Sequence, residues 1–152
     1  MKPLTVSMVL ITLFLISASI ASSKDYSALK TYTEELLLDP ALDAGIVSAE
    51  VSITPQQVTA NCITQFSVQE TSAPTQPLIN FIGSIVGIYS VLVKDVPEVG
   101  DLVITAKKNN EPTVVKFSCP KSWIEGKDLT SAAAVDQLNK IINKVLQTAE
   151  ST

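Results

Sequence analysis

The chain has 152 residues, of which 46% are hydrophobic and 17% charged; this is enough apolar material for a folded core and too little charge for a disordered one. It contains no His and no Arg, every cation being a Lys, which excludes Ser–His–Asp and Cys–His catalysis, His-containing zinc sites and bidentate Arg–phosphate forks. A net charge of −4 makes nucleic acid and anionic membrane surfaces poor electrostatic partners.

Lys2 opens a stretch that is apolar from Leu4 to Ile16 apart from Thr5, Ser7 and Thr12. It leaves through Ser17, Ala18, Ser19, Ile20, Ala21 and Ser22. A basic start, an apolar middle and a small-residue exit are the anatomy of a secretory signal peptide. Ser19-Ile20-Ala21 fits the small-x-small cleavage pattern, so residues 1–21 are expected to be removed and residues 22–152 to form a single domain that is secreted or extracytoplasmic. The alternative is an uncut membrane anchor over residues 4–20, at the lower edge of bilayer-spanning length. The sequence holds no Asn-x-Ser/Thr site, so no N-glycan is expected.

Ser22 to Leu38 is expected to be helical, with Tyr26, Leu29, Tyr32 or Thr33 and Leu36 at helical spacing and Asp39-Pro40 as the stop. Ile46 to Thr54 alternates as a strand, Val47, Ala49, Val51 and Ile53 facing one way and Ser48, Glu50, Ser52 and Thr54 the other. Pro55 to Ala60 reads as a connection and Asn61 to Glu70 as a second strand. Pro77 sits where a helix tolerates it, and Leu78 to Val93, apolar or small throughout, is expected to be a buried central helix. Asp101 to Lys107 and Thr113 to Cys119 alternate around a turn at Asn109-Asn110 and form a hairpin. Thr130 or Ser131 caps a last amphipathic helix with Val135, Leu138, Ile141, Ile142, Val145 and Ala149 on its apolar face.

The expected order is α-β-β-α-β-β-α. It describes a two-layer α+β sandwich whose four-stranded sheet carries helices on one face and is wet on the other.

Cys62 and Cys119 both fall on inward strand positions. In an exported chain they are candidates for a disulfide, which would close a long loop and contribute about 4 kcal/mol in the chain-entropy picture. The alternative is two buried small hydrophobes that never meet.

Ser27-x-x-Lys30 and Ser118-x-x-Lys121 match the Ser-x-x-Lys pattern of penicillin-binding enzymes, but the Ser-Asp-Asn and Lys-Thr-Gly companions are missing and chance matches are expected. Asp95, Glu98 and Asp101 could offer oxygen ligands to calcium, although their spacing is not that of an EF-hand. Glu34-Glu35 and Glu125 with Asp128 are acidic pairs. General acid/base work needs one carboxyl desolvated beside another, and Glu34 and Glu35, as helix neighbours that do not face each other, read as a solvated edge. Gly83-x-x-x-Gly87 lets a helix approach a neighbour closely, within the domain or across a homodimer. Trp123 reads as a lid on the edge of the core, or as a ligand-stacking ring.

The expectation is an exported, non-enzymatic binding domain, or an envelope or extracellular interaction domain, with an unknown protein or small ligand as partner. No catalytic residue, metal or cofactor is assigned, no nucleic acid is expected, and a membrane enters only through an uncut signal segment. The alternative is an exported hydrolase using carboxylate or Ser–Lys chemistry.

Overall fold

The computed structural model describes residues 26–129 and 131–152; the signal segment, 1–21, and the Thr130 cap lie outside the described residues. The elements in chain order are α1 (Ser27–Leu38), β1 (Ile46–Ile53), β2 (Gln57–Thr64), α2 (Gln76–Asp95), β3 (Asp101–Lys108), β4 (Val115–Cys119), α3 (Val135–Gln147) and β5 (Glu150–Ser151). Short 3-10 turns occupy Pro40–Leu42, Lys121–Trp123 and Ala132–Ala134. The fold is a mixed α+β arrangement with a five-stranded sheet in the order β1-β2-β3-β4-β5. The four-stranded expectation is corrected: after α3 the chain returns to the sheet, and Glu150–Ser151 pairs antiparallel with Val115 and Lys116. β1–β2 and β3–β4 are antiparallel hairpins, and β2 and β3 lie parallel because α2 carries the chain back before β3 begins.

β1 to β4 bury alternate residues. Val51, Ile53, Val58, Ala60, Cys62, Leu102, Ile104, Ala106, Val115, Phe117 and Cys119 face the helices in one continuous core. Val47, expected inward, is 45% exposed. The β1–β2 register shifts between Ile46 and Ser48, and an irregularity of that kind turns the local side chains off their face. The second strand begins at Gln57, not at Asn61, because Thr54 makes a tight turn. Its Oγ1 donates to the Gln57 carbonyl at 2.9 Å and accepts the Gln56 and Gln57 N–H groups at 3.2 and 3.0 Å. That strand ends at Thr64 rather than Glu70; beyond it Phe66 packs edge-on against Phe81 of α2, with centroids 5.7 Å apart.

α2 is longer than the expected Leu78–Val93, and its 20 residues would span about 30 Å. Length alone therefore does not distinguish it from a membrane helix; by length and composition it could cross one, but 67% of its most apolar window is buried within the fold. Phe81, Ile82, Ile85, Val86, Tyr89 and Leu92 are buried in the core. Tyr89 reaches past the sheet end and donates its OH to the Gly100 carbonyl at 2.6 Å. Gly100 is required by close approach, since a Cβ there would lie 2.2 Å from the Gln56 backbone in the first hairpin turn.

α3 packs on α2 where Gly83 leaves room. A Cβ at Gly83 would sit 3.1 Å from Ile142 Cδ1, whereas one at Gly87 would meet nothing within 4 Å. Val135, expected on the apolar face of α3, is 53% exposed because the chain enters the helix through the Ala132–Ala134 turn. Ser131 makes no side-chain cap bond there.

A side chain from a helix region covers part of the β1 edge, and another covers the stretch of β4 that β5 leaves unpaired. Glu34 Oε2 on α1 accepts the Val51 N–H of β1 at 2.7 Å. Thr148 Oγ1, just past α3, accepts the Ser118 N–H of β4 at 2.8 Å and donates to the Val145 carbonyl at 2.6 Å. Unpaired edge groups are templates for pairing with other chains, and these bonds occupy them.

Candidate functional site

The lysines of both Ser-x-x-Lys motifs are engaged by groups outside the motif. Lys30 Nζ holds Glu34 at 2.7 Å on the same helix, and Ser27 is exposed at the start of α1. Lys121 Nζ donates to the Pro97 and Val99 carbonyls at 2.6 and 3.2 Å, tying the end of β4 to the loop before β3. The Lys121 side chain is thereby turned toward two backbone carbonyls, as a donor-only group can be.

The acidic loop is engaged in structure as well. Glu98 Oε1 accepts the Tyr26 OH at 3.2 Å, and burial first, then the Glu98 charge and this bond, push the phenol above its ordinary pKa. Asp101 Oδ1 accepts the Lys121 N–H at 2.8 Å. Among the described residues no three His, Cys, Asp or Glu side chains gather closely enough to hold a metal ion.

Of the acidic pairs, Glu35 is exposed as expected, but Glu34 is not a simple solvated edge. Burial pulls its carboxyl up. The hydrogen bonds from Lys30 and from the Val51 N–H, with the Lys30 charge, outweigh that and leave it below its ordinary value.

The expected disulfide is corrected: Cys62 and Cys119 are free and buried. Cys62 is in register with Ala106 of β3, and Cys119 with Leu102 of the same strand, from the opposite side. At strand spacings of about 4.8 Å and a rise of about 3.3 Å per residue, that offset puts the two Cα atoms roughly 16 Å apart, against the limit of about 7 Å for a bridge. Burial pushes both thiols up to about 12, with the Asp101 charge adding to the effect at Cys119.

Trp123 is half-buried against the core, with Lys144 Nζ 5.3 Å from its ring centroid and its carbonyl accepting from Lys127 Nζ at 2.9 Å. A cation over one face of the indole fits the lid reading. Beside it, a polar recess of about 360 Å³ lies between the C-terminal turns of α2 and the Glu125–Asp128 segment, lined by Ser90, Lys94, Lys127 and Asp128.

The feature that the sequence reading left unassigned is the open face of the sheet. Ser48, Glu50, Asn61, Ile63, Thr105, Lys107 and Val114 line a shallow basin of about 410 Å³ on it. The strand registers align Glu50, Asn61, Thr105 and Lys116 as one row running straight across β1 to β4. Thr105 Oγ1 donates to Asn61 Oδ1 at the centre of that row. Outward alternation was visible in the sequence; alignment of these four residues needs the parallel β2–β3 register, which no local pattern encodes. Comparisons with protein families, with curated proteins and with solved structures find no match to this chain.

Proposed function

We propose that the chain is an exported, non-enzymatic interaction domain whose working surface is the open sheet face. The observation that carries this reading is the basin centred on Asn61 and Thr105. It is the part of the sheet that the helices leave bare, and it gathers polar groups of both signs from three strands. The engagement of Lys30 and Lys121 in bonds within the fold supports the same reading, because these are the groups a Ser–Lys hydrolase would use. Export rests on the signal-like segment 1–21.

The test has two parts. Mass spectrometry of the exported protein should find a chain starting at Ser22; an intact Met1 overturns cleavage. Wild-type protein, Thr105→Arg on the open face and Lys127→Ala on the distant recess are then immobilised and exposed to the exported fraction of the producing cells. A component held by wild type and Lys127→Ala and lost from Thr105→Arg is the expected result. Identical retention by all three, or none by any, overturns the surface assignment.

A further inference from the structure

We infer that the open sheet face pairs with the same face of a second copy, giving a two-fold dimer with a β-sandwich at its centre. The inference rests on the reading of that face as the interaction surface and names its partner. The argument is charge and register. Glu50 stands at the β1 end of the central row and Lys116 at its β4 end, with Asn61 and Thr105 between them. A two-fold axis parallel to the strands, passing between β2 and β3, lays β1 of one copy over β4 of the other at the same height along the strands. Glu50 then faces the partner copy's Lys116, and Asn61 faces its Thr105, twice by symmetry. Lys107 lies one row away on β3 and adds a second positive charge to the same face. Glu50 and Lys116 are exposed, and among the described residues neither makes an ion pair within its own chain. Glu150, beside Lys116 on β5, lies outside the four-strand overlap.

The remaining surface suits such a pairing. Ser52, Thr59, Val103 and Ser118 form the row on one side of the centre; Ser48, Ile63 and Lys107 form the row on the other, with Val114 also lining the basin. Most of these side chains are short, so two twisted sheets can approach to the usual spacing of about 10 Å. Four strands of this length cover roughly 500 Å² of projected area per copy, or about 1,000 Å² for the pair, at the low end for a specific interface. The dimer is therefore weak, salt-sensitive and specified by its charges.

Sedimentation equilibrium of the exported chain at low and high salt tests this, with Glu50→Lys, Lys116→Glu and their equimolar mixture alongside. Wild type is expected to dimerise, and more strongly at low salt. Each single reversal turns two attractive contacts into two repulsive ones and is expected to raise the dissociation constant at least about tenfold. The mixture restores the pairs in a heterodimer and should recover the wild-type constant. Both substitutions are on exposed positions, and circular dichroism checks that the variants are folded. A wild type that stays monomeric, or a dimer indifferent to the reversals, overturns the proposal. A monomeric wild type whose Thr105→Arg variant still loses a captured component defeats self-pairing alone. Unchanged capture by Thr105→Arg defeats the underlying surface assignment instead.

Discussion

The Glu34 carboxylate holds the backbone N–H of Val51 at 2.7 Å while the same oxygen takes Lys30 Nζ at 2.7 Å. One side chain thus anchors α1 to the outer edge of β1 and fills a bonding position that another strand could use. Glu34→Ala should cost about 1.5–3 kcal/mol, the range for a hydrogen bond to a charged group, and should increase aggregation during refolding. Urea titration and light scattering measure both.

The pH dependence follows from the direction of the Glu34 shift. Its folded value lies below the ordinary 4.5, so the folded state binds the proton less readily than the unfolded chain. Its contribution is fully present above the unfolded value and is lost as pH falls through the folded one. Between neutral pH and strong acid, wild type should therefore lose more stability than Glu34→Gln, which keeps an acceptor but has no charge to titrate. Equal acid sensitivity of the two proteins would contradict this account.

Three glycines should respond differently to one methyl group. Gly100→Ala drives a Cβ to within 2.2 Å of the Gln56 backbone, which side-chain motion cannot relieve, and should cost about 3 kcal/mol or more. Gly83→Ala meets the flexible end of Ile142 at 3.1 Å and should lie near neutral, the packing cost being set against a gain in helix propensity of about 1 kcal/mol. Gly87→Ala meets open space and should stabilise α2 by about 0.5–1 kcal/mol. Thermal melts of the three variants give the ranking.

Both cysteines should stay silent toward a thiol reagent in the native protein and react in full on unfolding, without reductant. Burial raises each thiol to about 12, leaving little thiolate at neutral pH. Mass spectrometry after alkylation in denaturant should count two adducts; none would restore the disulfide.

Thr148→Val keeps the shape of the side chain and removes the acceptor for the Ser118 N–H. The expected cost is about 1–3 kcal/mol, the penalty for leaving a part-buried donor unpaired. Hydrogen exchange should report it as faster exchange at Ser118, with the centre of β3 unaffected.

Elements were legible wherever one short-range pattern governs them. The stripe of Ile141, Ile142 and Val145, the alternation of Leu102, Ile104 and Ala106, and the turn at Asn109-Asn110 all appear where periodicity and turn chemistry place them. The misread stretches are those ruled by something else. Thr54 builds a turn with its hydroxyl and starts β2 four residues early; an irregular register at Ile46/Ser48 exposes Val47. Cys62 and Cys119 look like partners because both face inward, and only the strand order reveals the distance between them. The Glu50–Lys116 row was hidden for the same reason, since each residue alone is an ordinary solvent-facing charge.

The parallel pairing of β2 with β3 has a bearing on how the chain acquires its shape. Each hairpin closes over a short span, yet Gln57 meets Asp101 only after the whole of α2 has been laid down between them. Neither ribbon alone can shelter that helix from water, and the helix left bare would be the most adhesive part of the molecule. Folding is thus expected to be a single concerted event paced by this distant closure, and half-length fragments should precipitate instead of adopting half the structure.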